Sequence, residues 1–139
     1  QAIGQVRPRA LQPLLHRRVR HDEQVVLIRD TPRPGFHVPA CLARASSGGV
    51  SSAQPCPYFL SEAVLPAAFE LERQAAERRP GTAVLDLNDA ICTGAICPVH
   101  KDGVVLFHDS QHLSATFARS LAGLLWQRLP PAAQAELAP

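Results

Sequence analysis

The chemistry-bearing residues of this chain crowd into one short stretch, His108-Asp109-Ser110-Gln111-His112-Leu113-Ser114. Asp109 and His112 stand three positions apart. At that spacing both side chains can face one cleft. The acid then orients one imidazole nitrogen and leaves the other free to take a proton. Such a pair is the acid–base half of a nucleophilic acyl-transfer site. The same residues admit a plainer role. An acid just before a helix start favours the helix dipole, and a nearby histidine can be an ordinary loop residue. His108, directly after an apolar run, reads as a surface or packing residue rather than the base.

Something must hold the pair. The apolar run Val104-Val105-Leu106-Phe107 leads into it, and a strand is predicted from Gly103 to Phe107. Behind it, Ser114 is a good N-cap for an amphipathic helix over roughly Ala115 to Leu129. Upstream, Gln24 to Arg29 and Thr82 to Leu87 read as buried strands. Ala10 to Arg20 and Ser61 to Arg79 read as helices, the second with Pro66 in its first turn. Pro32, Pro34 and Pro39, then Ser46-Ser47-Gly48-Gly49, predict a long loop from Asp30 to about Pro57. Asn88 to Lys101 reads as another loop, in which Asp86 and Asp89 flank Asn88 as turn residues with a rim contact to substrate as the alternative. Residues 130–139 read as a flexible Pro/Ala-rich tail. Strands alternating with helices predict an α/β fold with a parallel sheet. Three strands make a small sheet, so further strands are expected N-terminal to Gln1.

The composition is that of one globular domain: 139 residues, 46% hydrophobic and 19% charged. A net charge of +2 gives no argument for a nucleic-acid partner. Arg7, Arg9, Arg17, Arg18 and Arg20 read as a solvated helix face, with a patch for phosphorylated glycans as the alternative. The sequence contains no methionine and begins at Gln1 without a signal-peptide pattern, as expected of a processed product or a piece of something longer. No run of apolar residues is long enough to span a bilayer.

Four cysteines fall into two local couples, Cys41 with Cys56 and Cys92 with Cys97. Four cysteines allow three connectivities; local pairing is the simplest, and disulfides would place the domain outside the cytoplasm. Zinc held by Cys92, Cys97, His100 and His108 is a rival reading, although the spacing differs from the common zinc knuckles. Free buried thiols are a third.

Taken together, an I-C-x(4)-C loop, a Gly-led strand and D-x-x-H-L-S opening a C-terminal helix resemble the C-terminal half of the SGNH-type domain fused to membrane acyltransferase-3 proteins. Those proteins are bacterial O-acyltransferases of cell-envelope polysaccharides. The strand Val25-Val26-Leu27-Ile28 and the Pro-rich loop to Pro39-Ala40-Cys41-Leu42 are similar to that family as well. The likeness covers about Gln24 to Leu125. It implies a three-layer α/β/α sandwich of flavodoxin-like appearance, here a partial domain over residues 1–139. It implies Asp109 and His112 as catalytic acid and base, an acyl donor and a carbohydrate acceptor as substrates, and no cofactor. It also implies an extracytoplasmic site tethered through an N-terminal transmembrane domain. The family's serine, glycine and asparagine blocks are not evident. No Gly-Asp-Ser occurs. Its nearest imitation, Arg29-Asp30-Thr31, is followed by Pro32, and Thr31 reads as a turn residue rather than the nucleophile.

Three functions follow. The chain is part of a domain that transfers an O-acyl group, acetyl by expectation, to an envelope carbohydrate. Alternatively it is a non-catalytic, disulfide-stapled module that binds glycan or a partner. The third is a free-standing carbohydrate esterase with an unrecognised hydroxyl nucleophile. The cysteine reading can be tested directly. Thiol titration of the denatured, unreduced protein is expected to find no reactive thiol, and four reactive thiols would sink the disulfide pairing.

Overall fold

The computed structural model describes residues 24–48 and 54–138. The helix expected over Ala10–Arg20 and the five arginines near the start lie outside the described residues. Strand β1 (Val25–Ile28) pairs in parallel with a later strand, Thr82–Leu85, in the register Val25 to Thr82 through Ile28 to Leu85. Both are largely apolar and β-branched, but the expectation of buried strands is not met: among their residues only Leu85 is buried, and Ile28 is exposed. Arg29 N–H donates to Leu85 C=O at 2.8 Å and carries the pairing one residue further.

The crossover is more ordered than its prolines predict. Helix α1 (Val38–Ser47) lies inside the stretch read as a long loop. Pro39 sits in its first turn, where its missing N–H costs nothing and its fixed φ already suits a helix. His37 caps the start, its Nδ1 accepting from Ala40 N–H at 3.3 Å. The Ser46 and Ser47 hydroxyls donate back to the Leu42 and Ala43 carbonyls, so these serines belong to the helix. Proline breaks a helix interior but is well suited to a helix start.

Strand β2 (Tyr58–Phe59), the single turn α2 (Leu60–Ala63) and helix α3 (Pro66–Glu77) follow. The helix expected over Ser61–Arg79 is thus two pieces. Pro66 disfavours helical geometry at the residue before it, and Leu65 is correspondingly outside the helical region, at φ −115° and ψ 80°.

After β3 (Thr82–Leu85) come a short helix α4 (Asn88–Ile91) and strand β4 (Ile96–Cys97), which pairs antiparallel with β2. The third strand differs from expectation. Val104–Val105 (β6) pairs antiparallel with His100–Lys101 (β5) rather than joining the parallel sheet. The cause is Asp102-Gly103, whose φ values of 50° and 77° are both positive. That is the geometry of a two-residue type I′ hairpin turn, which Asp-Gly favours. Among the described residues the parallel sheet therefore has two strands.

Helices α5 (Ala115–Ser120) and α6 (Ala122–Arg128) replace the single helix expected to Leu129, with a tight turn at Leu121, whose N–H reaches Ala118 C=O at 3.2 Å. Residues 130–139, read as a flexible tail, carry helix α7 (Pro131–Leu137), opened by Pro131 and touching the fold through buried Ala133. The result is a mixed α/β chain with a small parallel sheet.

Both cysteine couples are disulfides, Cys41–Cys56 and Cys92–Cys97. The zinc alternative therefore fails on its ligands, because two of its four donors are bonded to each other. The core gathers Val38, Tyr58, Ile91, Cys97, Val99, Leu106, Phe107 and Phe117. Leu106 and Phe107 are fully buried immediately before the acid–histidine stretch. The Tyr58 ring meets the Phe107 ring edge-on, centroids 5.9 Å apart. Phe107→Ala is expected to cost about 3–5 kcal/mol of unfolding free energy, read as a lower urea midpoint. A loss below about 1 kcal/mol would show that this ring does not anchor the loop that follows it.

Candidate active site

The segment from Leu106 to Ser114 is a closed loop. Ser114 N–H donates to Leu106 C=O at 2.8 Å, and His108 N–H donates to His112 C=O at 2.8 Å. Phe107 and Leu113 form an antiparallel bridge between them. The Ser114 hydroxyl donates to Val105 C=O at 2.6 Å and accepts from Phe117 N–H at 3.2 Å. That one side chain both closes the loop and caps α5, as its position predicted.

Asp109 and His112 meet at the tip. The Asp109 Oδ1 accepts from the backbone N–H groups of Gln111 and His112, each at 2.8 Å. Its Oδ2 is 2.7 Å from His112 Nδ1. These bonds, led by the His112 backbone N–H and then its ring, hold the Asp109 carboxyl well below the usual carboxylate range. An ionised carboxylate accepts and cannot donate, so the proton between them belongs to Nδ1. In neutral His112 the lone pair is then on Nε2. Nε2 has no hydrogen-bond partner among the described residues, and the His112 side chain is 67% exposed against 30% for Asp109. The arrangement can accept a proton at Nε2 and steady the resulting imidazolium at Nδ1.

His112, with Gln111 and Leu113, forms one wall of an open depression of about 530 Å³. The other wall is Asp30, Thr31 and Arg33, just past the end of β1. Thr31 thus shares the depression with His112, but no hydrogen bond joins them among the described residues. Arg33, paired with Asp30 at 2.8 Å, is a cation at this site that the sequence did not single out. His108 is exposed and lies in a separate depression with Pro39 and Val105. The two walls are locked by backbone. Gly35 N–H donates to Ser110 C=O at 3.1 Å, and Val38 N–H to Asp109 C=O at 3.3 Å.

Asp86 and Asp89 do not reach the depression. Asp86 Oδ2 pairs with Arg29 at 2.7 Å, and Oδ1 accepts from Asn88 N–H at 2.9 Å. The Arg29 guanidinium also lies 4.4 Å from the Phe69 ring centroid. Asp89 takes both nitrogens of Arg128, each at 2.7 Å, and Arg128 also donates to Asp86 C=O. Neither acid is a plain turn residue: Asp89 lies in α4, and both are held by arginines. The Arg29–Asp86 pair follows from the register, since these are the residues directly after the last matched positions, Ile28 and Leu85.

The Asp109 bonds make a pH prediction. A carboxyl with a lowered folded-state pKa contributes stability that is complete above its unfolded value, about 4, and fades as pH falls through the folded one. The carboxyl carbon of Asp109, followed by NMR, is expected to titrate below that of an ordinary aspartate. His112→Ala is expected to shrink the depression of the pKa without abolishing it, because two backbone donors remain. An ordinary titration in the unsubstituted chain would show that the loop is not held this way.

Compared with known families, residues 2–127 match the SGNH domain (fused to AT3 domains). No curated protein and no solved structure matches the chain. Among the described residues no helix is long and apolar enough to cross a membrane. With residues 2–127 covered, the chain belongs to the family of SGNH domains that occur fused to AT3 domains.

Proposed function

We propose that this chain is part of an extracytoplasmic SGNH domain that transfers an acyl group, acetyl in our reading, to a cell-envelope carbohydrate. Asp109 and His112 are its acid and base, and the acyl-carrying serine lies outside these residues. The observation that carries the reading is the 2.7 Å contact of His112 Nδ1 with an ionised Asp109, which leaves Nε2 open to a depression. The two disulfides support an oxidising compartment. The family name supports a partner membrane acyltransferase domain, and the parallel β1–β3 pair supports an α/β/α sandwich completed by strands from the rest of the protein.

In the proposed cycle His112 Nε2 takes the proton of the serine hydroxyl as its oxygen attacks the donor's acyl carbon. The imidazolium returns that proton to the leaving group, giving an acyl-serine. A sugar hydroxyl then attacks, His112 takes its proton and delivers it to the serine oxygen, and the O-acyl sugar leaves. Asp109 stabilises the cation at both steps.

A second reading, a non-catalytic glycan- or partner-binding module, draws on the lack of any Gly-Asp-Ser in the chain. Mutagenesis in the complete protein separates the two. His112→Ala is expected to lower O-acyl transfer on the order of 10³-fold or more, with Asp109→Asn also strongly impaired. Transfer undiminished by His112→Ala would leave the binding module as the better reading. A gene encoding neither Gly-Asp-Ser nor transmembrane helices upstream would end the transferase reading. The 139-residue chain alone is expected not to hydrolyse p-nitrophenyl acetate. Turnover by it that is lost in His112→Ala would place a nucleophile inside the chain.

A further inference from the structure

The wall opposite His112 is a short run of backbone, Asp30-Thr31-Pro32-Arg33, fixed from behind. Arg29 N–H is bonded to Leu85 C=O and Arg33 N–H to Ala63 C=O, each at 2.8 Å. The Pro32 side chain is fully buried. Between these anchors, Asn88 Nδ2 donates to Asp30 C=O at 3.0 Å, a contact spanning 58 positions of sequence.

Asn88 is 7% exposed, the buried polar residue of the described core. Its backbone N–H is bonded to Asp86, but its Oδ1 is buried with no partner among the described residues. Turning the amide over would press Oδ1 against the Asp30 carbonyl oxygen, so the NH₂ group must face Asp30. Packing alone does not explain an amide here, because an apolar side chain would bury no unpaired oxygen. What the amide does is fix one peptide.

None of the described peptides is cis. In a trans peptide the carbonyl and the following N–H point in opposite directions. The Asp30 carbonyl is turned inward, onto Asn88. The Thr31 N–H is therefore turned away from Asn88, and Thr31 itself lines both the depression with His112 and a smaller cleft with Ala63 and Phe69. It makes no hydrogen bond among the described residues. The next residue, Pro32, has no N–H to compete with it.

We propose that Asn88 is a positioning residue. By holding the Asp30 carbonyl it aims the Thr31 N–H across the depression from His112, as a donor to an oxygen of the acyl group undergoing transfer. The inference rests on the acyl-transfer reading of Asp109 and His112. A preset backbone dipole suits this task, since it meets developing negative charge without reorganising and adds no net charge to the site.

The test uses the ¹⁵N-labelled chain and methylphosphonate, a tetrahedral anion bearing a methyl group as an acetyl-transfer intermediate does. The Thr31 amide proton is expected to move downfield, and the His112 ring proton to move with it along one isotherm. Asn88→Ala is expected to weaken that binding roughly three- to tenfold, the loss of about one neutral hydrogen bond. It is expected to suppress the Thr31 response while leaving the pH titration of His112 as it was. A merely structural Asn88 would disturb both or neither. Should Asn88→Ala fail to fold, Asn88→Asp removes the donor at nearly constant volume and is expected to suppress the Thr31 response in the same way. A response at His112 with none at Thr31 overturns the inference and leaves the acyl-transfer reading intact. Silence at both also overturns it, and the acyl-transfer reading then rests on His112→Ala in the complete protein.

Discussion

One carboxylate organises the functional loop. Asp109 collects three donors on its side chain, two from backbone and one from the His112 ring, and its carbonyl takes a fourth from Val38. The bonds that shape the loop also set the histidine tautomer. The capping role and the catalytic role, which look like competing explanations of an Asp three residues before a His, are therefore performed by the same atoms. Loop order and proton placement cannot be separated by substitution at this position. A change there reports on both at once, and His112 is the cleaner probe of chemistry.

Much of this was legible in the sequence, and the exceptions share a cause. The parallel strands showed as apolar, β-branched runs, the helix cap as Ser114, the acid–histidine pair by its spacing, and the disulfides as local couples. Proline accounts for most of the differences. Three helices open on a proline in the first turn, at Pro39, Pro66 and Pro131. Only at Pro66 was that position anticipated for a described helix; elsewhere a Pro-rich composition outweighed the tolerance of a helix N-terminus for a residue without an N–H. The Asp-Gly turn was the second miss, because an apolar run after it fits a hairpin as well as a sheet strand.

That Asp30, Thr31 and Arg33 face His112 was not legible, for a different reason. Asp30, Thr31 and Arg33 come to His112 only because the Gly35 and Val38 amides find carbonyls some seventy residues away, at Ser110 and Asp109. No local pattern encodes such a contact. The same holds for Arg128, which ties the end of α6 to Asp86, just past β3, and to Asp89 in α4. The Arg128–Asp89 ion pair is partly exposed, so it contributes little alone. Its effect is geometric, since the last helices and the mouth of the sheet share one set of polar contacts.

The closed loop from Leu106 to Ser114 has a bearing on how its motif should be read. Backbone bonds join its first residue to its last and its third to its seventh, and the Ser114 hydroxyl clamps the seam. The residue count inside such a ring is fixed as firmly as the residue types. One amino acid more or fewer between Leu106 and Ser114 would turn either the Phe107–Leu113 bridge or the Asp109–His112 pair out of phase. D-x-x-H-L-S is thus better regarded as a ring of set circumference than as a list of permitted letters. In a related chain, a length change there would be a more damaging sign than a substitution at either unspecified position.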